Sequence, residues 1–171
     1  FPSAEELQKS TVSMISEVAA RGGAADATVR GAVIEVRDGS GLIMRCPDCK
    51  RALQKGSCKV HGRVDGLPDL RVKAIVDDGS GAVSAVIGRE LTEKLTGSTL
   101  DECMETAKKS MNLDVVKDSF EDKLLLKVVT LTGNVMADEY GLSMIVNEVG
   151  TDTEDVRAAV ERLLVELEES R

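Results

Sequence analysis

The sequence predicts a mainly β domain with flanking helices, built around a five-stranded barrel. Short β-branched segments alternate with turns rich in Gly and Asp, and a helical segment separates the third strand from the fourth. The 171 residues correspond to one ordinary domain. With 42% hydrophobic and 30% charged residues, the composition excludes an intrinsically disordered chain. Because aromatic residues make up only 2%, aliphatic side chains must fill the core.

An N-terminal helix or linker is predicted within residues 1–25. Ser3 and Glu6 match a capping box. Apolar residues then recur at helical spacing, at Leu7, Met14, Ile15 and Val18, and Arg21-Gly22-Gly23 ends the pattern.

The barrel is predicted within residues 26–150. Its strands are expected at 28–37, 70–76, 82–88, 123–136 and 142–149, with a short segment at 42–45 leading into a cysteine-containing insert. Turns at 77–81 and 137–141 join two hairpins, and residues 89–95 and 100–109 are predicted to be helical. This order of strands and helix is typical of the OB-fold, a small Greek-key barrel.

A C-terminal amphipathic helix is predicted within residues 151–171, capped by Thr151 and Asp152. Its apolar stripe is formed by Val156, Val160, Leu163, Leu164 and Leu167. The stripe is about 16 Å long at 1.5 Å per residue, longer than a small barrel needs for its own cap. We therefore expect a partner helix, from a second copy or from sister subunits. The alternative is a helix that folds back over its own barrel.

The insert at 45–63 contains the sharpest motif of the chain. Cys46 and Cys49 form one close pair, and Cys58 and His61 form a second after eight intervening residues. Two such pairs match the ligand spacing of a tetrahedral zinc ribbon. Four protein ligands leave no open position for water, so the sequence predicts one structural zinc ion per chain, inserted between strands 1 and 2.

Other uses of these residues are less consistent with the pattern. Pairing all four cysteines in disulfides would need Cys103, which shares a predicted helical face with Leu100, Met104 and Ala107 and is expected to be a buried thiol. Since the only histidine is assigned to zinc, no Ser-His or Cys-His nucleophile can form. No phosphate-binding glycine loop is present. We do not expect an enzyme.

Although the net charge is −8, one segment of the chain is basic. Residues 45–63 contain one anion, Asp48, and six cations: Arg45, Lys50, Arg51, Lys55, Lys59 and Arg63. Arg71 and Lys73 alternate with apolar residues on the next strand, and Tyr140 lies at the tip of the last hairpin. Such cations attract phosphate locally because distant acidic groups are screened. A solvated charged surface is the alternative interpretation.

With the ribbon and the strand order in place, residues 26–150 resemble the zinc-ribbon OB domain of replication protein A in its archaeal form. The resemblance rests on the four ribbon residues, on the segment DGSGAVSAVIGRELTEKLTG at 78–97 and on the closing helix. It implies binding of single-stranded DNA in DNA replication, repair and recombination. It also implies that Arg71, Lys73 and Tyr140 face DNA and that the closing helix contacts sister subunits.

The paucity of aromatic residues departs from the family, because its DNA-binding barrels usually carry two or more stacking aromatics. We therefore keep two other functions open: an assembly or trimerisation hub of the same complex with little direct DNA contact, and a zinc-ribbon adaptor of transcription or translation machinery. No apolar run reaches the ~20 residues that cross a bilayer. We expect an intracellular, nucleoid-associated protein with no membrane partner.

Overall fold

Long antiparallel strands dominate the structure, a computed structural model that describes residues 12–150 and 154–169. The strands are β1 (Gly23–Val36), β2 (Gly41–Arg45), β3 (Ser57–Cys58), β4 (Gly62–Arg63), β5 (Leu67–Asp77), β6 (Ala82–Ile87), β7 (Lys127–Asp138), β8 (Gly141–Val149) and β9 (Glu154–Asp155). The helices are α1 (Ile15–Ala20), α2 (Arg89–Thr96), α3 (Leu100–Ser110), α4 (Asp114–Leu124) and α5 (Val156–Glu169).

Hydrogen bonding joins the five longest strands in the order β1-β5-β6-β8-β7, and β1 also pairs with β7. The pairs are antiparallel except β6 with β8, which run parallel. β2 lies beside the first half of β5, β9 extends β7, and β3 and β4 form a separate two-stranded sheet. The prediction of a mainly β protein with flanking helices is confirmed, and the pairing is consistent with an OB-fold.

The strand count differs from the five that the sequence predicted, because short strands precede the ribbon, lie within it and follow β8. The ribbon follows β2 and lies between the long strands β1 and β5, as predicted. β1 also begins at Gly23, five residues before the predicted start, because residues 23–32 pair along β7. The strand predicted from residue 123 begins at Lys127 instead, since residues 123 and 124 complete α4.

The core consists almost entirely of aliphatic side chains, as the composition predicted. Alternate residues of β5 and β6 point inward, and Leu70, Val72 and Val76 are fully buried. Phe120 is the one buried aromatic residue of the described chain, with 1% of its surface exposed. It lies on α4, a helix that the sequence analysis missed.

The turn between β5 and β6 caps helix α1 from a distant part of the sequence. A carboxylate oxygen of Asp78 accepts a hydrogen bond from the backbone N–H of Ile15 at 2.8 Å, and the Ser80 hydroxyl accepts one from Ser16 at 3.1 Å. Both acceptors satisfy amide groups that the helix itself leaves unpaired. Ile15 and Val18 are buried, so the helix packs on the sheet. It begins later than predicted, because Met14 is extended and Val12 forms an isolated bridge with Thr28. Residues 1–11, including Ser3, Glu6 and Leu7, lie outside the described residues.

Replacing Asp78 with Asn should lower stability by about 1 kcal/mol near neutral pH, because one of the two oxygens that accept hydrogen bonds becomes an amide donor. Burial alone would raise the pKa of Asp78, but hydrogen bonds from Ser80, Ile15 and Gly81 lower it below its usual value. A depressed pKa contributes stability that is present above about pH 4 and is lost as pH falls through the folded-state pKa. Urea unfolding between pH 7 and pH 2 measures this contribution. In Asp78→Asn the free energy of unfolding should fall less steeply at acid pH. In Asp122→Asn, on the exposed face of α4, it should fall as steeply as in the parent.

The C-terminal helix is confirmed as an element, with β9 immediately before it. Leu164 and Leu167 from the predicted stripe are 55% and 63% exposed. The described side chains do not include the other three members of the stripe, Val156, Val160 and Leu163. The predicted caps Thr151 and Asp152 lie outside the described residues. Among the described residues, no helix is long and apolar enough to cross a membrane.

Candidate metal centre and nucleic-acid interface

The cysteine segment leaves the sheet at the end of β2 and returns at the start of β5. Arg45 pairs with Leu67 at its base, and β3 and β4 form a small hairpin within it, with Cys58 opposite Gly62. A second tight turn carries the other ligand pair, where the Lys50 N–H donates to the Cys46 carbonyl at 2.9 Å. Each pair of predicted metal ligands therefore lies on its own turn, as the spacing implied.

The two turns bring all four predicted ligands together. The sulfur atoms of Cys46, Cys49 and Cys58 and a ring nitrogen of His61 lie within 4.8 Å of one another. The Cys46 sulfur is 3.5 Å from His61 Nδ1, the Cys58 sulfur is 3.7 Å from the same nitrogen, and the sulfurs of Cys49 and Cys58 are 3.5 Å apart. Zn–S bonds of about 2.3 Å and Zn–N bonds of about 2.0–2.1 Å give tetrahedral edges of about 3.5–3.8 Å. The cluster fits a tetrahedral metal ion of this size.

Thiolate character at the cluster also favours a cation. Hydrogen bonds from the backbone N–H groups of His61 and Val60 lower the pKa of Cys58 to about 6. The N–H of Arg51 lowers the pKa of Cys49, but desolvation and the neighbouring sulfurs outweigh it and the pKa is raised. Adjacent sulfurs resist losing both protons unless a positive charge lies between them. All four cysteines are free thiols, and Cys103 is buried on α3, away from the cluster.

The cations predicted on the ribbon are mostly exposed: Lys50, Arg51, Lys55, Lys59 and Arg63. Arg45 differs because its guanidinium contacts the carboxylate of Asp69 on β5 and donates to the Lys50 carbonyl at 2.9 Å. Arg45 thus connects the first ligand turn to the sheet. This contact orients the ribbon relative to β5.

Arg71 and Lys73 project from the same face of β5, and Arg37 at the end of β1 joins them. The Arg37 guanidinium donates to the Ser84 hydroxyl at 3.3 Å, and Arg71 Nε donates to the Gly39 carbonyl at 3.0 Å. The charge of Arg71 lowers the pKa of Lys73, with smaller contributions from desolvation and Arg37. Within residues 12–150 and 154–169, no carboxylate forms an ion pair with Arg71 or Lys73.

We call Arg37, Arg71 and Lys73 the β5 cation cluster. Arg37 was not among the cations predicted from the sequence to face DNA, although its position just before the 38–41 turn placed it at a strand end. Its neighbours are set by the strand register, in which Val36 lies opposite Ala74.

A groove of about 610 Å³ lies beside the ribbon at the start of β5, and Arg37, Arg71 and Lys73 are not among its lining residues. Arg45 and Lys50 line its ribbon side, Leu67 and Pro68 its β5 side, and the start of α2 closes the far end with Gly88, Arg89, Glu90 and Leu91. Asp69 on β5 and Val146 and Asn147 on β8 complete the lining. The groove offers cations, carboxylates and apolar surface together.

Tyr140 stands at the tip of the β7–β8 hairpin with 91% of its surface exposed. Its backbone N–H donates to an Asp138 carboxylate oxygen at 2.8 Å, which fixes the turn but leaves the ring free of the core. The described contacts do not bring Tyr140 together with the β5 cation cluster. An exposed ring at this position is available for stacking, and its contact with DNA stays a prediction.

No protein-family model matches the chain, and no curated protein matches it. Among solved structures, it is similar to yeast RPA bound to ssDNA at 12% identity and a TM-score of 0.51, over 86% of this chain and 88% of that chain. It also matches a replication protein A heterotrimer bound to ssDNA at 13% identity and a TM-score of 0.49, over 82% of this chain but 34% of that chain. The chain therefore spans about a third of the length of the latter. Taken with the strand pairing, the likeness to that structure supports an OB-fold for this chain.

Proposed function

We propose that this chain binds single-stranded DNA as a subunit or domain of an RPA-like complex, in DNA replication, repair or recombination. The observation that carries the proposal is the β5 cation cluster. Three cations share one sheet face, and like charge lowers the pKa of Lys73. Such an arrangement is costly unless a polyanion neutralises it, and a phosphate backbone is the matching partner.

The surroundings of the β5 cation cluster support a single strand in particular. OB-folds bind oligonucleotides on the sheet face formed by their second and third strands, which correspond to β5 and β6. The groove beside β5 combines cations with apolar residues, the pairing that single-strand sites use for phosphates and bases. The exposed ribbon cations extend the positive surface beyond the groove.

We further propose that the metal is zinc and that its role is structural. Three thiolates and one imidazole form a ligand set that zinc prefers, and four protein ligands leave no place for a reacting water. We propose no catalytic activity for the chain.

Assembly is the second candidate function. Leu164, Val165 and Leu167 on α5 are each more than half exposed. Apolar residues on a terminal helix are suited to a partner helix from a sister subunit or from a second copy. Assembly through α5 and DNA binding through β5 use different surfaces, so one chain can do both.

The DNA-binding proposal predicts a salt-dependent affinity that depends on the β5 cation cluster. Changing Arg37, Arg71 and Lys73 together to Gln should weaken binding of a labelled oligothymidine about a hundredfold at low salt. It should also reduce the slope of log K against log salt by about 2, because each neutralised phosphate contributes about 0.7. Fluorescence anisotropy at several salt concentrations measures both quantities.

A matched control removes three cations elsewhere: Lys94, Lys109 and Lys123, each to Gln. It changes the net charge equally and should leave affinity and slope near those of the parent. Tyr140→Ala should weaken binding by about 1–3 kcal/mol without changing the slope, since stacking releases no counterions. Equal losses in the two triple variants would assign binding to net charge and reject the proposed face.

A further inference from the structure

An apolar groove lies on the side of β2 opposite the β5 cation cluster. Gly41 pairs with Arg71, so alternate β2 residues face the cations, whereas Leu42 and Met44 face the other way. These two side chains and three from the α3–α4 corner, Met104, Met111 and Leu113, line a groove of about 240 Å³. We call this the methionine groove.

Met111 at the mouth of the groove is not explained by folding. It caps α3 in the left-handed conformation, with a φ of 53°, where glycine is the usual residue because it has no Cβ. Its side chain is 92% exposed, and the neighbouring Leu113 is 48% exposed. Met111 therefore combines an unfavourable backbone conformation with an exposed apolar side chain. This combination is typical of a residue that contacts another molecule.

The charge around the groove indicates what that molecule carries. Lys108 lines the groove, is exposed and is the one charged residue among the lining side chains. No lining residue is acidic, although the chain has 30 Asp and Glu against 22 Lys and Arg. The only charge facing an occupant from the groove lining is therefore positive, which favours an acidic partner.

We propose that the methionine groove docks an acidic amphipathic helix from a partner protein. Its volume accommodates two or three apolar side chains, which a helix presents at positions i, i+3 or i+4, and i+7. Unbranched methionine side chains adapt to such anchors. Because the groove faces away from the β5 cation cluster, a docked helix and a bound single strand do not compete for the same surface.

The test uses the full chain and a labelled peptide about four turns long, with Leu at i, i+3 and i+7 and Glu at most other positions. Fluorescence anisotropy should show saturable micromolar binding, and a scrambled peptide of the same composition should bind much more weakly. Met111→Gly should raise the melting temperature, because glycine relieves the left-handed strain, and should weaken peptide binding about tenfold or more. A purely structural Met111 would give the higher melting temperature with unchanged binding.

Lys108→Gln should weaken peptide binding in low salt, whereas Lys94→Gln on α2 should not. The proposal is overturned if the parent shows no saturable binding below about 1 mM peptide. It is equally overturned if Met111→Gly binds like the parent. Light scattering that finds a dimer lost in Met111→Gly would assign the groove to a second copy instead, and that result also rejects the proposal.

Discussion

Chelating the metal from freshly purified protein is expected to disorder residues 45–63 while the sheet stays folded. Ordering each residue costs about 1–2 kcal/mol of backbone entropy. The insert offsets little of this, because Cys46 and Cys58 are its only fully buried apolar residues and neither belongs to the core cluster of the sheet. Structural zinc contributes about 10–16 kcal/mol in comparable small sites, so removing it takes away the largest single contribution that opposes this cost. Hydrogen exchange should show rapid exchange confined to the insert.

Substitution at the ligands should reproduce the effect of chelation. Cys49→Ser should lose the metal and become sensitive to trypsin at the ribbon lysines and arginines. Cys103→Ser is the matched control, because that thiol is buried in α3 apart from the ligands, and it should retain the metal. Elemental analysis of reduced protein should find about one zinc per chain. Less than half an equivalent, or full protection of the insert after chelation, would reject the zinc assignment.

Phe120→Ala is expected to be the most destabilising single change in the core, by about 3–5 kcal/mol. The ring is 1% exposed and lies on α4 with two other buried residues of that helix, Val116 and Leu124. In a core of aliphatic side chains, no neighbouring aromatic ring can fill the cavity. Urea unfolding monitored by far-ultraviolet circular dichroism measures the loss.

Tyr140→Ala is the control for the loss of an aromatic ring. Tyr140 is 91% exposed, so its removal should change stability by no more than about 0.5 kcal/mol. Similar losses in the two variants would mean that α4 does not pack as described.

The metal cluster could be predicted from sequence because its geometry is local. Cys46 and Cys49 span one turn, Cys58 and His61 span another, and the single histidine leaves no ambiguity about the fourth ligand. Zinc spacing rules depend on such short separations and not on the register of distant strands. The buried state of Cys103 could be predicted for the same reason, because helical spacing gave its neighbours.

Helix α4 could not be predicted with the rules applied to the sequence. Val116, Phe120 and Leu124 recur at intervals of four, which is a helical signal. The leucines at 124–126, followed after Lys127 by two valines, favour a strand instead. The boundary lies where Leu126 adopts a φ of 61° and its N–H donates to the Val33 carbonyl at 2.7 Å. That contact joins residues far apart in sequence, so no local pattern reports it. The addition of Arg37 to the β5 cation cluster depends in the same way on the register between β1 and β5.

The pairing of β1 with β7 has a consequence for synthesis and folding rate. Thr28 and Thr132 lie opposite each other with their hydroxyls 2.9 Å apart, although 104 residues separate them. Contacts of such long sequence separation belong to proteins that fold in milliseconds to seconds. At about 5–20 residues per second, a ribosome needs on the order of 5–20 s to reach β7 after making β1. Throughout that interval β1 has no partner for half of its length, so the nascent chain exposes an unpaired strand that invites aggregation or chaperone binding.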